Sequence, residues 1–96
     1  MTTLRSVINA TATHYGLTAA DLLAYDKRPR MARPRQVAMA LCYEMPRTSL
    51  PALALAFHRD HTTVLHGVRA VEARAAADPE LRAAMDAIRA KLEGQG

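Results

Sequence analysis

The sequence predicts an all-α fold, a single compact domain of six helices over residues 1–96 with a helix-turn-helix in its second half. Three observations carry this. Apolar residues recur at helical spacing along most of the chain and nowhere alternate as a half-buried strand requires. Ser, Thr and Asp stand ahead of several of these runs as helix caps. Half of the residues are hydrophobic but only 4% are aromatic, which implies a thin core of close helices filled by Leu, Val, Met and Ala. A chain of 96 residues has core enough for one domain and no second.

The first helix is expected over residues 3–15, with Leu4, Val7, Ile8 and Tyr15 inward and Gly16 as its stop. Thr18 caps a short second helix, with Asp21 as the acidic half of a capping box and Leu22 and Leu23 as its buried residues. Residues 26–33 have no apolar period and contain Pro29, so they read as an extended cationic loop. Pro34 suits the first turn of a third helix, residues 34–45, whose Val37, Met39, Ala40, Leu41 and Met45 face inward before Pro46 ends it. Ser49 caps the fourth helix, residues 50–57, with Pro51 tolerated in its first turn. Asp60 caps the fifth, which runs to residue 77. There Val64, Leu65, Val68, Val71 and Ala75 face the core, and Thr62, His66 and Arg69 face outward. Asp78-Pro79-Glu80 opens the last helix, with Leu81, Met85, Ile88 and Leu92 as its stripe. That stripe reads as core packing, and a homodimer is the alternative to the expected monomer.

Charge is concentrated. Between residues 27 and 59, Lys27, Arg28, Arg30, Arg33, Arg35, Arg47 and Arg59 face Glu44 alone, whereas each flank sums to one net negative charge. A central basic block between near-neutral flanks favours a polyanion held by one face. The single Cys42 excludes an internal disulfide, and its place in an apolar helical pattern implies a buried thiol. No apolar run approaches the ~20 residues of a membrane span, and no signal peptide precedes the first helix. A cytoplasmic location and no membrane partner are therefore expected.

The chemistry-bearing constellation is a short helix, a tight turn near His58 and a longer helix that opens Asp60-His61-Thr62-Thr63. In a helix-turn-helix the second helix presents its first residues to base edges in the major groove of duplex DNA. Asp60 can accept from a cytosine amino group or simply cap the helix; His61 can donate or accept; Thr62 and Thr63 offer hydroxyls and methyls. The N–H groups of the first turn can also take phosphate. The segment carrying Lys27, Arg28 and Arg30 is suited to an adjacent minor groove. Arg33, Arg35 and Gln36, with Arg47, Ser49, Leu50 and Arg59, are candidates for phosphate. With about five phosphates neutralised, log K would fall with log salt at a slope of roughly −4 to −5.

On these residues the chain resembles a known family. Residues 31–41 (Met-Ala-Arg-Pro-Arg-Gln-Val-Ala-Met-Ala-Leu), then Ser49-Leu50-Pro51, then Arg59-Asp60-His61-Thr62-Thr63-Val64-Leu65-His66 are similar to the C-terminal DNA-binding domain of the bacterial replication initiator DnaA. The likeness extends more weakly from about Leu4 to Leu92. It implies a Trp-repressor-like six-helix fold and binding to a DnaA box, a duplex site of the TTATCCACA type. Carried over, Asp60, His61, Thr62 and Thr63 touch bases, Pro51 makes an apolar contact with Leu50 beside it, and Arg35 and Gln36 hold phosphate. Register places Lys27 nearest the family's minor-groove arginine, with Arg28 or Arg30 as substitutes. The initiator itself is an expected partner, by contact or by competition for sites.

Three departures stand out. Phe57 is followed by His58 alone where the family usually has glycines, so the turn needs a non-glycine residue at positive φ or an earlier end to the fourth helix. Ala54 stands where the family often has glycine. The family's ATPase loop, G-x-x-x-x-G-K-[ST], is absent; the glycines are Gly16, Gly67, Gly94 and Gly96. With Met1 opening directly onto the first helix, a stand-alone regulator without ATP-driven assembly is expected. The shortened turn motivates an alternative: a protein-interaction module of the same fold without specific DNA reading.

Cofactors and catalysis are not expected. His58, His61, His66 and Cys42 match no zinc-finger spacing, and His61 and His66 do not share a helical face. Asp60-His61 lacks a nucleophile or second carboxylate beside it. Tyr43, near the basic region, reads as half-buried.

Overall fold

The computed structural model describes residues 2–95, which form α1 (Leu4–His14), α2 (Ala19–Leu23), α3 (Pro29–Tyr43), α4 (Leu50–Phe57), α5 (His61–Ala77) and α6 (Pro79–Gln95). There is no strand among the described residues. Helix α3 is the axis of the domain and packs against every other helix.

Local chemistry sets most boundaries. Thr3 and Thr18 close capping boxes on Ser6 and Asp21, so Thr3 lies outside α1 as its cap. After α1, Gly16 adopts φ +70. Its N–H donates to the Thr13 carbonyl, and the Leu17 N–H donates to the Ala12 carbonyl, a Schellman closure. Asp78 leads into α6 by accepting from the Glu80 and Leu81 N–H groups.

The start of the third helix is corrected. It opens at Pro29, so Arg30 and Arg33 stand on a helix and only residues 24–28 separate α2 from α3. Pro29 fills the first helical position, where its missing N–H loses nothing, and the Arg28 carbonyl accepts from the Met31 and Ala32 N–H groups. Pro34 lies inside the helix and removes one rung. Burial of Pro34, Arg35 and residues 37–42 offsets that loss. The helix ends at Tyr43, before Met45, and Tyr43 is exposed (41%) rather than half-buried.

The core joins Val7, Ile8 and Ala12 of α1, Leu22 of α2, Val37, Ala38 and Leu41 of α3, Leu53 and Phe57 of α4, Val64, Val68 and Val71 of α5, and Met85, Ile88 and Leu92 of α6. Leu65, expected inward, is half-buried. Gly67 allows the close approach of α5 to α3: a Cβ there would stand 2.8 Å from Met39 Sδ. Arg89 of α6 ties back to Glu44, just past the end of α3, and to Asp86.

Candidate nucleic-acid interface

Helices α4 and α5 form the helix-turn-helix, and the turn between them is short. His58 takes φ 55 and ψ 42, in the left-handed region, and the Arg59 N–H then donates to the Ala54 carbonyl at 3.0 Å. This is the same closure that Gly16 makes after α1, here with a side chain in place of glycine. Helix α4 therefore keeps its full length. The Tyr25 hydroxyl donates to the His58 carbonyl at 3.4 Å.

Asp60 then caps α5. Its carboxylate accepts from the Thr63 N–H at 2.9 Å, and that bond is the main cause holding the carboxyl below its ordinary value. His61, Thr62 and Thr63 are all exposed on the first turn. Arg59, Asp60, His61 and Thr62 line a shallow open depression there. The chemistry on offer is a row of short donors and acceptors beside first-turn N–H groups that have no intrahelical acceptor.

The start of α4 offers a second set. The Ser49 hydroxyl accepts from the Ala52 N–H at 3.2 Å and retains its own proton for donation. Exposed Pro51 and half-buried Leu50 follow, and exposed Arg47 precedes at φ 65.

The seven cations of the basic block separate into groups that the sequence does not distinguish. Arg35, expected on phosphate, is 5% exposed. Its Nε donates to the Leu22 carbonyl and its Nη2 to the carbonyls of Ala24 and Asp26, at 2.8 and 2.9 Å. It faces inward because Arg35, Ala38, Met39 and Cys42 share the buried face of α3. Arg59, expected on phosphate, is half-buried and likewise committed, to the carbonyls of Leu23, Phe57 and Ala24. The Arg35 reading is corrected to an internal tie, since a buried guanidinium engaged with three carbonyls has few donors left; Arg59 carries internal ties and also lines the open depression at the start of α5.

Arg28 folds back onto Asp26, with its Nη2 at 2.6 Å from the carboxylate. That side-chain bond is the main cause that holds Asp26 at about 2. Exposed Lys27, Arg30, Arg33 and Arg47 have no hydrogen bond or ion pair from their side chains among the described residues. Arg33 opens onto a depression shared with Asp78 and Glu80, away from α5's first turn. Gln36 accepts from Arg74 through its carbonyl oxygen at 2.9 Å, leaving its amide N–H groups to donate outward.

Sequence reasoning passed over Tyr25. It is 79% exposed, with its ring 5.1 Å beneath the Arg59 guanidinium and its hydroxyl on the recognition turn. Its partners lie more than thirty residues away, so no local pattern marks it. Among the described residues no His, Cys, Asp and Glu cluster could hold a metal.

The family model of the bacterial DnaA protein helix-turn-helix matches residues 4–71, from α1 into α5. The chain belongs to the DnaA helix-turn-helix family. Among curated relatives, the chromosomal replication initiator protein DnaA of Caulobacter sp. (strain K31) is 44% identical over 93 residues, covering 96% of this chain and 19% of the relative. The DnaA of Neisseria gonorrhoeae (strain ATCC 700825 / FA 1090) is 46% identical over 76 residues, 78% of this chain and 15% of the relative. The chain thus spans about a fifth or less of the length of these curated relatives. A solved structure of a DNA replication initiation factor superposes with a TM-score of 0.82 at 28% identity, over 96% of this chain and 28% of the other. The matched unit is a DNA-binding helix-turn-helix and not a catalytic domain. No helix among the described residues is long and apolar enough to cross a membrane.

Proposed function

We propose that this domain reads double-stranded DNA at DnaA-box-like sites. The start of α5 enters the major groove, and residues 24–28 reach an adjacent minor groove. His61, Thr62 and Thr63 read base edges, with Pro51 in apolar contact and Asp60 dividing its carboxylate between the helix cap and a base amino group. Lys27 is the minor-groove side chain, since Arg28 is engaged with Asp26. Arg30, Gln36, Arg47, Ser49 and Leu50 position the duplex through its phosphates, while Arg33 faces Asp78 and Glu80.

One observation carries this reading: His61, Thr62 and Thr63 stand exposed on the first turn of a capped recognition helix, on the matched family's helix-turn-helix. In the cell such a domain acts in the cytoplasm on replication initiation or transcription, by sharing or competing for the initiator's sites. The short turn motivated a protein-interaction module instead. A turn that closes at His58 and leaves α5 capped favours DNA reading.

A gel shift with a DnaA box and a one-base variant, at two salt concentrations, tests the proposal. Preference for the intact box is expected, with a log–log salt slope of roughly −3 from Lys27, Arg30 and Arg47. Equal binding to box and scrambled duplex would reject it. Nuclease-resistant capture of an initiator protein without any duplex shift would favour the interaction module.

A further inference from the structure

We propose that Arg59 is a positioning residue that locks the minor-groove segment to the recognition turn, so that both grooves are read by one rigid unit. This rests on the DNA-reading function proposed above.

Residues 24–28 have no regular secondary structure, and Lys27 sits among them. Such a segment would ordinarily be ordered only on binding, which opposes association through lost conformational entropy. Here it is already fixed. Arg59 lies in the α4–α5 turn, directly before the Asp60 cap. Its Nη1 donates to the Phe57 carbonyl at the end of α4 and to the Leu23 carbonyl at the end of α2, at 2.7 and 3.3 Å. Its Nη2 donates to the Ala24 carbonyl at 2.6 Å. The same guanidinium lies 5.1 Å from the Tyr25 ring centroid, and the Tyr25 hydroxyl returns to the His58 carbonyl.

Residues 23–25 and 57–59 are thereby joined by hydrogen bonds in both directions and a cation–π contact. From α3, Arg35 takes the carbonyls of Leu22, Ala24 and Asp26. The backbone leading to Lys27 is held by one arginine from the helix behind it and one from the recognition turn. The planar fork of arginine suits this role, because a single ammonium cannot span carbonyls on two elements in fixed geometry. A 79%-exposed aromatic at Tyr25 is accounted for as the strut under that fork.

The test uses the full chain and its Arg59→Lys, Arg59→Ala, Lys27→Ala and Arg59→Lys/Lys27→Ala variants, with melting curves to establish folding. Backbone amide exchange of residues 24–28 is followed without DNA. Anisotropy is measured on a box duplex and a scrambled duplex across a salt series. Arg59→Lys is expected to speed exchange in residues 24–28 and to weaken box binding about 10-fold without changing the salt slope. In the Lys27→Ala background the same change should have little further effect on binding, since the contact it orients is gone.

Wild-type binding by Arg59→Lys, with a slope flattened by about one in Arg59→Ala, would make Arg59 a phosphate contact and overturn the proposal. Additive losses in the double variant, or unchanged exchange, would also overturn it. If the wild-type chain shows no box preference, the functional reading fails, while amide exchange still decides the tie. Should Arg59→Lys not fold, Tyr25→Leu removes the strut and leaves the arginine; faster exchange in residues 24–28 supports the proposal, and unchanged exchange rejects it.

Discussion

Arg35 and Arg59 converge on one acceptor, the carbonyl oxygen of Ala24, at 2.8 and 2.6 Å. Their proximity has an electrostatic consequence. Burial first, and then the Arg59 charge, lower Arg35 below its ordinary value, while Asp26 opposes the shift. An arginine stays protonated through such a shift, so the arrangement holds two cations around a short peptide segment. Carbonyl dipoles of α2 and of residues 24–28 compensate them. Basic residues that read as a polyanion grip thus divide into a structural pair and an exposed remainder.

Arg35→Ala should lower stability by about 2–3 kcal/mol, because it leaves the carbonyls of Leu22, Ala24 and Asp26 short of donors. Urea denaturation measures this. The DNA salt slope of the folded variant should match wild type. A slope flattened by one unit would return Arg35 to the phosphate contacts.

His61→Ala and Thr62→Ala should each weaken box binding by ~1–3 kcal/mol and leave scrambled duplex nearly unaffected. Arg47→Ala should weaken both equally and flatten the salt slope by about one. Titrations on the two duplexes separate these patterns. Equal loss on both duplexes for His61→Ala would remove it from the base contacts.

His58→Gly should stabilise the domain, by about 0.5–1 kcal/mol. A non-glycine residue in the left-handed region is strained by roughly 1–2 kcal/mol, part of which the freer unfolded chain gives back. His58→Val should destabilise it, since a β-branched side chain fits that region poorly. Thermal melts of the three proteins decide the order.

Acid should weaken the cap of α5. Chiefly through its bond from the Thr63 N–H, Asp60 is held below its ordinary 3.8. Its contribution is therefore complete above that value and is lost as pH falls through the lowered folded value. Asp60→Asn keeps an oxygen for the cap and does not titrate. Melting temperatures of wild type and Asp60→Asn should converge as pH is lowered below about 4. A constant gap would remove Asp60 from the acid dependence.

Cys42 should resist thiol reagents until the domain unfolds. It is fully buried in the core, and burial pushes its thiol up to about 12, so little thiolate exists at neutral pH. Colour development with an aromatic disulfide reagent should follow the denaturation curve. Rapid labelling of the native protein would contradict this packing.

Much of this molecule was legible from local chemistry. The caps at Thr18, Ser49 and Asp60, the stop at Gly16 and the apolar spacings of α5 and α6 are short-range signals, and the structure repeats them. The missing glycines implied either a positive φ near His58 or an earlier end to α4, and the first of these is what His58 adopts. Either of two prolines can open α3; the earlier one does, and the first turn it starts is closed by the Met31 and Ala32 N–H groups donating to the Arg28 carbonyl.

Sequence by itself determined the helix count, the recognition turn, the polar row from Asp60 to Thr63 and the family, because caps, periodicity and motif are properties of neighbouring residues. Tertiary structure alone decided which arginines face solvent. Their acceptors are carbonyls at the end of α2 and beyond it, brought to Arg35 and Arg59 only when α2, α3 and α4 pack together. A guanidinium carries the same charge in either setting, so its role depends on which oxygens the fold delivers to it.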